Sequence, residues 1–172
     1  MSKIYIGIDP SFTNTGMVAI DGDKAWSKEV SFPKINGPRF GYDDNIGETA
    51  RLKTAAVIFR DILYNMELNG KTPVFGIEVP IGSHMGGGAK LDRLYAVMVL
   101  VLPEIPGTGD RIRTYTPSQI KKFYTDHGNA DKELMVWFAN NVWDFKTTSH
   151  DLADAHAIAK LTQYIDEGKY EL

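Results

Sequence analysis

A charged residue inside an apolar, strand-like run constrains this chain most. Residues 73–79 read Pro-Val-Phe-Gly-Ile-Glu-Val, a short and nearly continuous apolar segment that fits a buried strand. Glu78 stands near its end, between Ile77 and Val79. Strands disfavour glutamate, and an isolated ionised carboxylate is costly to bury among apolar groups. Such a residue needs a partner, and a divalent cation is one that tolerates several carboxylates at once.

Three further acids fit the same requirement. Lys3 to Ile8 alternate in polarity and stop at Asp9-Pro10, a strand-to-turn signal that leaves Asp9 at a strand end. Asp151 and Asp154 are three residues apart at the start of a predicted helix, so they share one face and the positive end of its dipole. Two strands and one helix thereby bring Asp9, Glu78, Asp151 and Asp154 toward one edge of a sheet. The chain has no cysteine, so any metal is held by oxygen or imidazole, and an all-oxygen set suits Mg2+ or Mn2+. Taken singly, Asp9 also reads as a turn former and Asp151 as a residue chosen for the dipole alone. Asp154, one turn in, is harder to explain as a cap.

The rest of the chain reads as alternating elements. Thr15–Asp21 and Lys24–Phe32 follow the first strand through short turns, which predicts an antiparallel meander. Residues 33–47, rich in Pro, Gly, Asn and Asp, form a loop, and Glu48–Leu68 a helix ended by Asn69-Gly70. Beyond Pro73–Val79 come a glycine-rich loop over Pro80–Gly88, a helix over Ala89–Leu102 and a strand over Arg111–Tyr115. Thr116-Pro117 opens a helix, and two more cover Asp131–Val142 and Asp151–Asp166. The order β-β-β-α-β-α-β-α-α-α predicts an α/β fold: a mixed five-stranded sheet, antiparallel meander plus parallel strands, flanked by helices. At 172 residues, with 43% apolar and 24% charged residues, one domain is expected. No apolar stretch is long enough to span a bilayer, and the opening residues lack the pattern of a signal peptide; a cytoplasmic protein with no membrane association is expected.

Several segments resemble RuvC-type Holliday-junction resolvases, of the RNase H-like superfamily. They are Ile6-Gly7-Ile8-Asp9-Pro10 with Thr15-Gly16, the strand Val74–Val79, Tyr115–Lys121, Gly128–Lys132, and Asp151-Leu152-Ala153-Asp154-Ala155-His156-Ala157-Ile158-Ala159. They occur in family order across almost the whole chain, and the first and last are the most specific. The resemblance implies that residues 1–172 form one RNase H-like nuclease domain. It implies a homodimer that nicks paired strands of a four-way junction, with Asp9, Glu78, Asp151 and Asp154 as catalytic acids binding two metal ions. It also places Lys132 next to the substrate backbone. The Ala89–Leu102 helix is the expected dimer contact, and no organic cofactor is expected.

Recognition of DNA needs cations. Arg111, Arg113, Lys121 and Lys122 lie within a stretch free of acids, Lys90 and Arg93 lie one helical turn apart, and Lys132 opens a helix. A phosphate groove and an ordinary solvated basic surface weigh equally for each. His150 reads as a proton shuttle or metal ligand, or as a water-exposed neighbour of the helix start, with the second preferred; His156 is expected to face away from the acids. Trp26, Phe32 and Tyr42 read as base-stacking or as packing residues, and Trp137, Phe138 and Trp143 as helix packing. Ile81 and Met85 are the only apolar side chains of the glycine-rich loop able to wedge into a junction, and Gly86-Gly87-Gly88 departs from the family there. The formal charge of −3 is low for a protein that wraps junctions, so flaps, nicked duplex or RNA–DNA hybrids are the competing substrates.

Overall fold

The computed structural model describes residues 2–32, 44–66, 68, 70–80, 87–109 and 111–172, with the side chains of 44–48 and 87–89 outside that description. Strands β1 (Lys3–Asp9), β2 (Thr15–Asp21) and β3 (Lys24–Val30) form the antiparallel meander. Helix α1 (Asp44–Tyr64) leads to β4 (Thr72–Glu78), which lies parallel to β1. Helix α2 (Gly87–Val101) and a short 3-10 turn (Leu102–Glu104) precede β5 (Ile112–Tyr115), parallel to β4. Helices α3 (Pro117–Thr125), α4 (Lys132–Asn141) and α5 (His150–Asp166) complete the chain. The sheet order is β3-β2-β1-β4-β5, the expected mixed five-stranded sheet.

Strand alternation sorts the sheet into two faces. Ile4, Ile6, Ile8, Met17, Ala19, Phe75 and Ile77 point to one face, where they pack with Phe59 and Leu63 of α1 and Leu94 and Met98 of α2. Val18 and Ile20 point to the other, against Ala155 and Ala159 of α5. On that same face Tyr115 joins Ile120, Met135, Ala139, Ile158 and Leu161, which ties α3, α4 and α5 together. Asp9 has the parity of Gly7, and Glu78 that of Gly76. Both acids therefore face α5 rather than the α1–α2 layer.

Helix α5 lies unusually close to the sheet, and glycine is the reason. A Cβ on Gly7 would fall on the Ala155 carbonyl oxygen and the Ala159 amide nitrogen, and one on Gly16 would fall on the Asp151 carbonyl. With hydrogen at these positions, the helix backbone rests directly on β1 and β2. The same helix is stopped at its far end by a polar cluster. Asp166 accepts hydrogen bonds from Lys3 Nζ (2.7 Å) and Tyr5 Oη (3.0 Å) and pairs with Arg113 (3.6 Å).

Some boundaries differ from expectation. The α1 helix ends at Tyr64, not at Asn69-Gly70; Asn65 Nδ2 instead caps the Asp61 carbonyl (2.7 Å) and Met66 N closes a tighter turn onto Leu63 O. It also begins at Asp44, inside the stretch expected to be loop. The third strand stops at Val30, and Phe32 is buried in the α1-side core instead of being presented to bases. Trp137, expected to pack, is 53% exposed, and its ring makes an edge contact with Phe138 (5.2 Å). Tyr42, Ile81 and Met85 lie outside the described residues.

The glycine contact is testable. Gly7→Ala is expected to lower unfolding stability by about 1–3 kcal/mol, as overpacking does against a backbone that cannot retreat. Gly128→Ala, whose Cβ would meet nothing closer than 3.5 Å, is expected to change stability by less than about 0.5 kcal/mol. Urea unfolding of the two variants beside the parent chain measures both.

Candidate active site

The four acids occupy positions that local structure dictates. Asp9 is the last residue of β1 and pairs in register with Gly16 of β2. Glu78 is the last residue of β4 and pairs with Tyr115 of β5. Parallel pairing of β1 and β4 thus puts both carboxylates at the same end of adjacent strands. Asp151 and Asp154 lie in the first turns of α5, whose start is fixed by Ser149: its hydroxyl accepts from Leu152 N (3.2 Å) and donates to Glu29 of β3. Along α5, Asp151 heads the row that continues through Ala155 and Ala159 over β1 and β2. Asp154 heads the row through Ile158 over Gly76 of β4. Asp151 therefore stands toward β2 and Asp154 toward β4, with Asp9 on the strand between them.

The electrostatics follow this layout. Burial, then the charges of Glu78, Asp154 and Asp151, push the Asp9 carboxyl well above its usual range, against a partial offset from Lys132. Burial and Asp154 push Glu78 up to about 7, opposed by Lys121 and Lys132. Burial pushes Asp154 up to about 6, helped by Asp151 and opposed by Lys132, Lys121 and His150. Four carboxylates in one field would repel one another without added positive charge, and their donor atoms are all oxygen, the chemistry that Mg2+ or Mn2+ takes. Among the described residues, no three acidic or histidine side chains already close around one point as a finished metal cage. The set fits a cation by donor type, burial and charge deficit.

The cations predicted from sequence divide into three groups. Lys132, at the start of α4, and Lys121, in α3, act directly on the acids. Arg113 is spent on Asp166 at the opposite end of α5, and Arg111 donates to the Gly107 carbonyl (3.0 Å). Lys90, Arg93 and Lys122 are exposed. His150 is the first residue of α5, where its charge acts on Asp154. His156 faces away from the acids, as expected. It is buried, with Nδ1 2.6 Å from Tyr124 Oη and its ring stacked on Phe145 (4.3 Å), and burial pushes it down to about 3.

Asn14 is a neighbour that sequence reasoning missed. Its Nδ2 donates to Asp151 Oδ2 at 2.7 Å. The available signal was its place in the β1–β2 turn, between Asp9-Pro10 and Thr15-Gly16.

A mixed five-stranded sheet with acids at the ends of its two central parallel strands, and a helix delivering two more, defines an RNase H-like fold. No family model matches the chain. A curated relative, the crossover junction endodeoxyribonuclease RuvC of Salinibacter ruber, is 27% identical over 161 residues, covering 91% of this chain and 82% of that one. Two solved structures superpose closely. RuvC of Thermus thermophilus matches with a TM-score of 0.65 over 96% of this chain and 97% of its own. The T. thermophilus RuvC complex with a Holliday junction substrate matches with 0.67 over 96% of each; both are 21% identical. The chain is thus similar in sequence to a RuvC nuclease and shares the fold of RuvC.

The raised carboxyls predict a pH dependence in metal-free protein. Glu78 and Asp154 bind protons more tightly folded than unfolded, where their values are about 4.5 and about 3.8. Between those values and about 7 the folded state holds more protons, so stability should fall as pH rises through this window. Glu78→Gln should remove part of that slope and raise the metal-free melting temperature at pH 8. Thermal melts from pH 5 to 8 with chelator present would read this out.

Proposed function

We propose that this chain is a metal-dependent, structure-selective endodeoxyribonuclease that resolves four-way DNA junctions by paired nicks. In this reading Asp9, Glu78, Asp151 and Asp154 are the catalytic acids and hold two Mg2+ or Mn2+ ions. The mutual field of these four acids, drawn from β1, β4 and α5 with Lys121 and Lys132 beside them, carries the proposal. The RuvC name of the Salinibacter relative and the junction bound by the Thermus protein support the choice of substrate.

Bound divalent cations supply an activated water and stabilise the leaving oxygen of a phosphodiester. The chain's own residues do the rest. The carboxylates act as ligands, so no dedicated general base is needed. Lys121 and Lys132 hold phosphate oxygens at the cut strand, and the exposed Lys90, Arg93 and Lys122 follow the duplex arms. Arg111 and Arg113, engaged at the other end of the sheet, contribute least. His150 is auxiliary. We assign residues 1–172 to one nuclease domain acting in the cytoplasm without an organic cofactor; among the described residues no helix is long and apolar enough to cross a membrane.

Paired nicks need two sites, hence two copies of the chain. Leu100 of α2 is 73% exposed, and Val57 and Tyr64 of α1 are 46% and 55% exposed. These apolar side chains make the α1–α2 layer, on the sheet face opposite the acids, the proposed dimer contact.

A synthetic four-way junction should be cut symmetrically with Mg2+ or Mn2+, leaving 5′-phosphate and 3′-hydroxyl ends. Resistance of that substrate with both metals, alongside cleavage of flap, nicked or hybrid substrates, would transfer the activity to those structures. Glu78→Gln should lose cleavage by more than about 100-fold, beyond the loss typical of a residue that only supports a metal ligand, while keeping DNA binding. Leu100→Glu should shift sedimentation from dimer to monomer and abolish paired nicking; an unchanged dimer would remove α2 from the interface.

A further inference from the structure

The turn between β1 and β2 is held by a dense set of hydrogen bonds. Thr15 Oγ1 donates to Ser11 O (2.6 Å) and accepts from Ser11 N (3.0 Å). Ser31 Oγ donates to Thr13 O (2.6 Å). Arg51 of α1 reaches in from behind, with one guanidinium nitrogen donating to Phe12 O (3.1 Å) and Phe32 O (3.0 Å) and the group lying 4.4 Å over the Phe12 ring. The one side chain this turn sends to the acids is Asn14, whose Nδ2 meets Asp151 Oδ2. The amide orientation is fixed by chemistry: the reverse flip would set two oxygens against each other.

This contact makes the two oxygens of Asp151 unequal. Oδ2 already accepts a hydrogen bond from Asn14, and among the described residues Oδ1 accepts none. Oδ2 keeps a second lone pair, but a cation held by both oxygens has to share Oδ2 with the amide, so binding through Oδ1 is favoured. One-oxygen binding suits Mg2+ and Mn2+, which hold a small octahedral shell. Ca2+ is larger, takes more ligands and often binds both oxygens of one carboxylate. We infer that Asn14, held by the Arg51-braced turn, is a positioning residue that keeps Asp151 a one-oxygen ligand and so biases the site toward Mg2+ and Mn2+ over Ca2+. The inference rests on the four-acid metal site proposed above.

The test compares cation binding, not cleavage. Calorimetric titration of metal-free protein with Mn2+ and with Ca2+, for the parent chain, Asn14→Ala and Thr13→Ala, gives both affinities and their ratio. Outer-shell partners of metal ligands typically contribute about 10- to 100-fold in affinity. Asn14→Ala should weaken Mn2+ by about 10-fold and Ca2+ by less, so that the Mn2+/Ca2+ preference narrows. Thr13→Ala, in the same turn but without contact to Asp151, should keep the parent ratio. Asn14→Gln, which retains an amide donor, should recover part of the preference. General loosening of the turn would weaken both cations alike, so an unchanged ratio in Asn14→Ala overturns the inference while leaving the acid site standing. Failure of the parent chain to bind either cation overturns the acid site, and this inference with it. Should Asn14→Ala not fold, Asn14→Ser, too short to reach Asp151, replaces it and is judged by the same ratio.

Discussion

Everything at the acid end depends on how closely α5 can approach the sheet. Side chains normally hold packed layers well apart, about 10 Å for two stacked sheets. Here Gly7 and Gly16 remove that spacer on two adjacent strands, and the first turn of α5 comes down beside Asp9. A bulkier residue at either position would lift Asp151 and Asp154 away from Asp9 and Glu78. The acids would then be four separate surface carboxylates with ordinary chemistry.

That closeness has an electrostatic cost, visible in the raised carboxyls of Asp9, Glu78 and Asp154. Lys121 and Lys132 act against it, each from a helix that packs on α5 through the Tyr115–Ile158 cluster, and His150 adds to them at Asp154. These opposing groups are fewer than the four carboxylates they face. The folded chain is therefore less stable than it would be with those charges compensated, the cost expected of the proposed cation site. The strongly acidic character of this patch also accounts for part of the chain's net negative charge, which as a bulk number argued against a DNA-binding role.

Much of the architecture was legible because it rests on local rules. The alternation of Lys3–Ile8 and the short turns that follow it identify the meander, and Thr116-Pro117 marks the start of α3, where a capping box with Gln119 forms. The anomaly of Glu78 in an apolar strand pointed to the acid cluster, and strand parity explains why it shares a face with Asp9. Less legible were features decided by contacts distant in sequence. The end of α1 at Tyr64 depends on how Asn65 and Met66 close the turn, not on the Asn-Gly pair that looked like a stop signal. The pairing of Arg113 with Asp166, 53 residues later by the numbering, carried no sequence mark either. Asn14 carried no periodic or compositional mark, because its role depends on Asp151 being delivered to it by the far end of the chain.

The Lys3–Tyr5–Arg113 cluster around Asp166 has a mechanical meaning. Helix α5 is fastened at both extremities: by Ser149–Glu29 and Asn14–Asp151 at its start, and by three donors on its final residue. A rod clamped at each end against a twisted sheet cannot tilt or slide without breaking one of its clamps. The acids are therefore part of a stiff anvil. Under the proposed function, any bending needed to bring a phosphodiester to them falls on the incoming polymer, whose own deformability then becomes a term in which sites are cut.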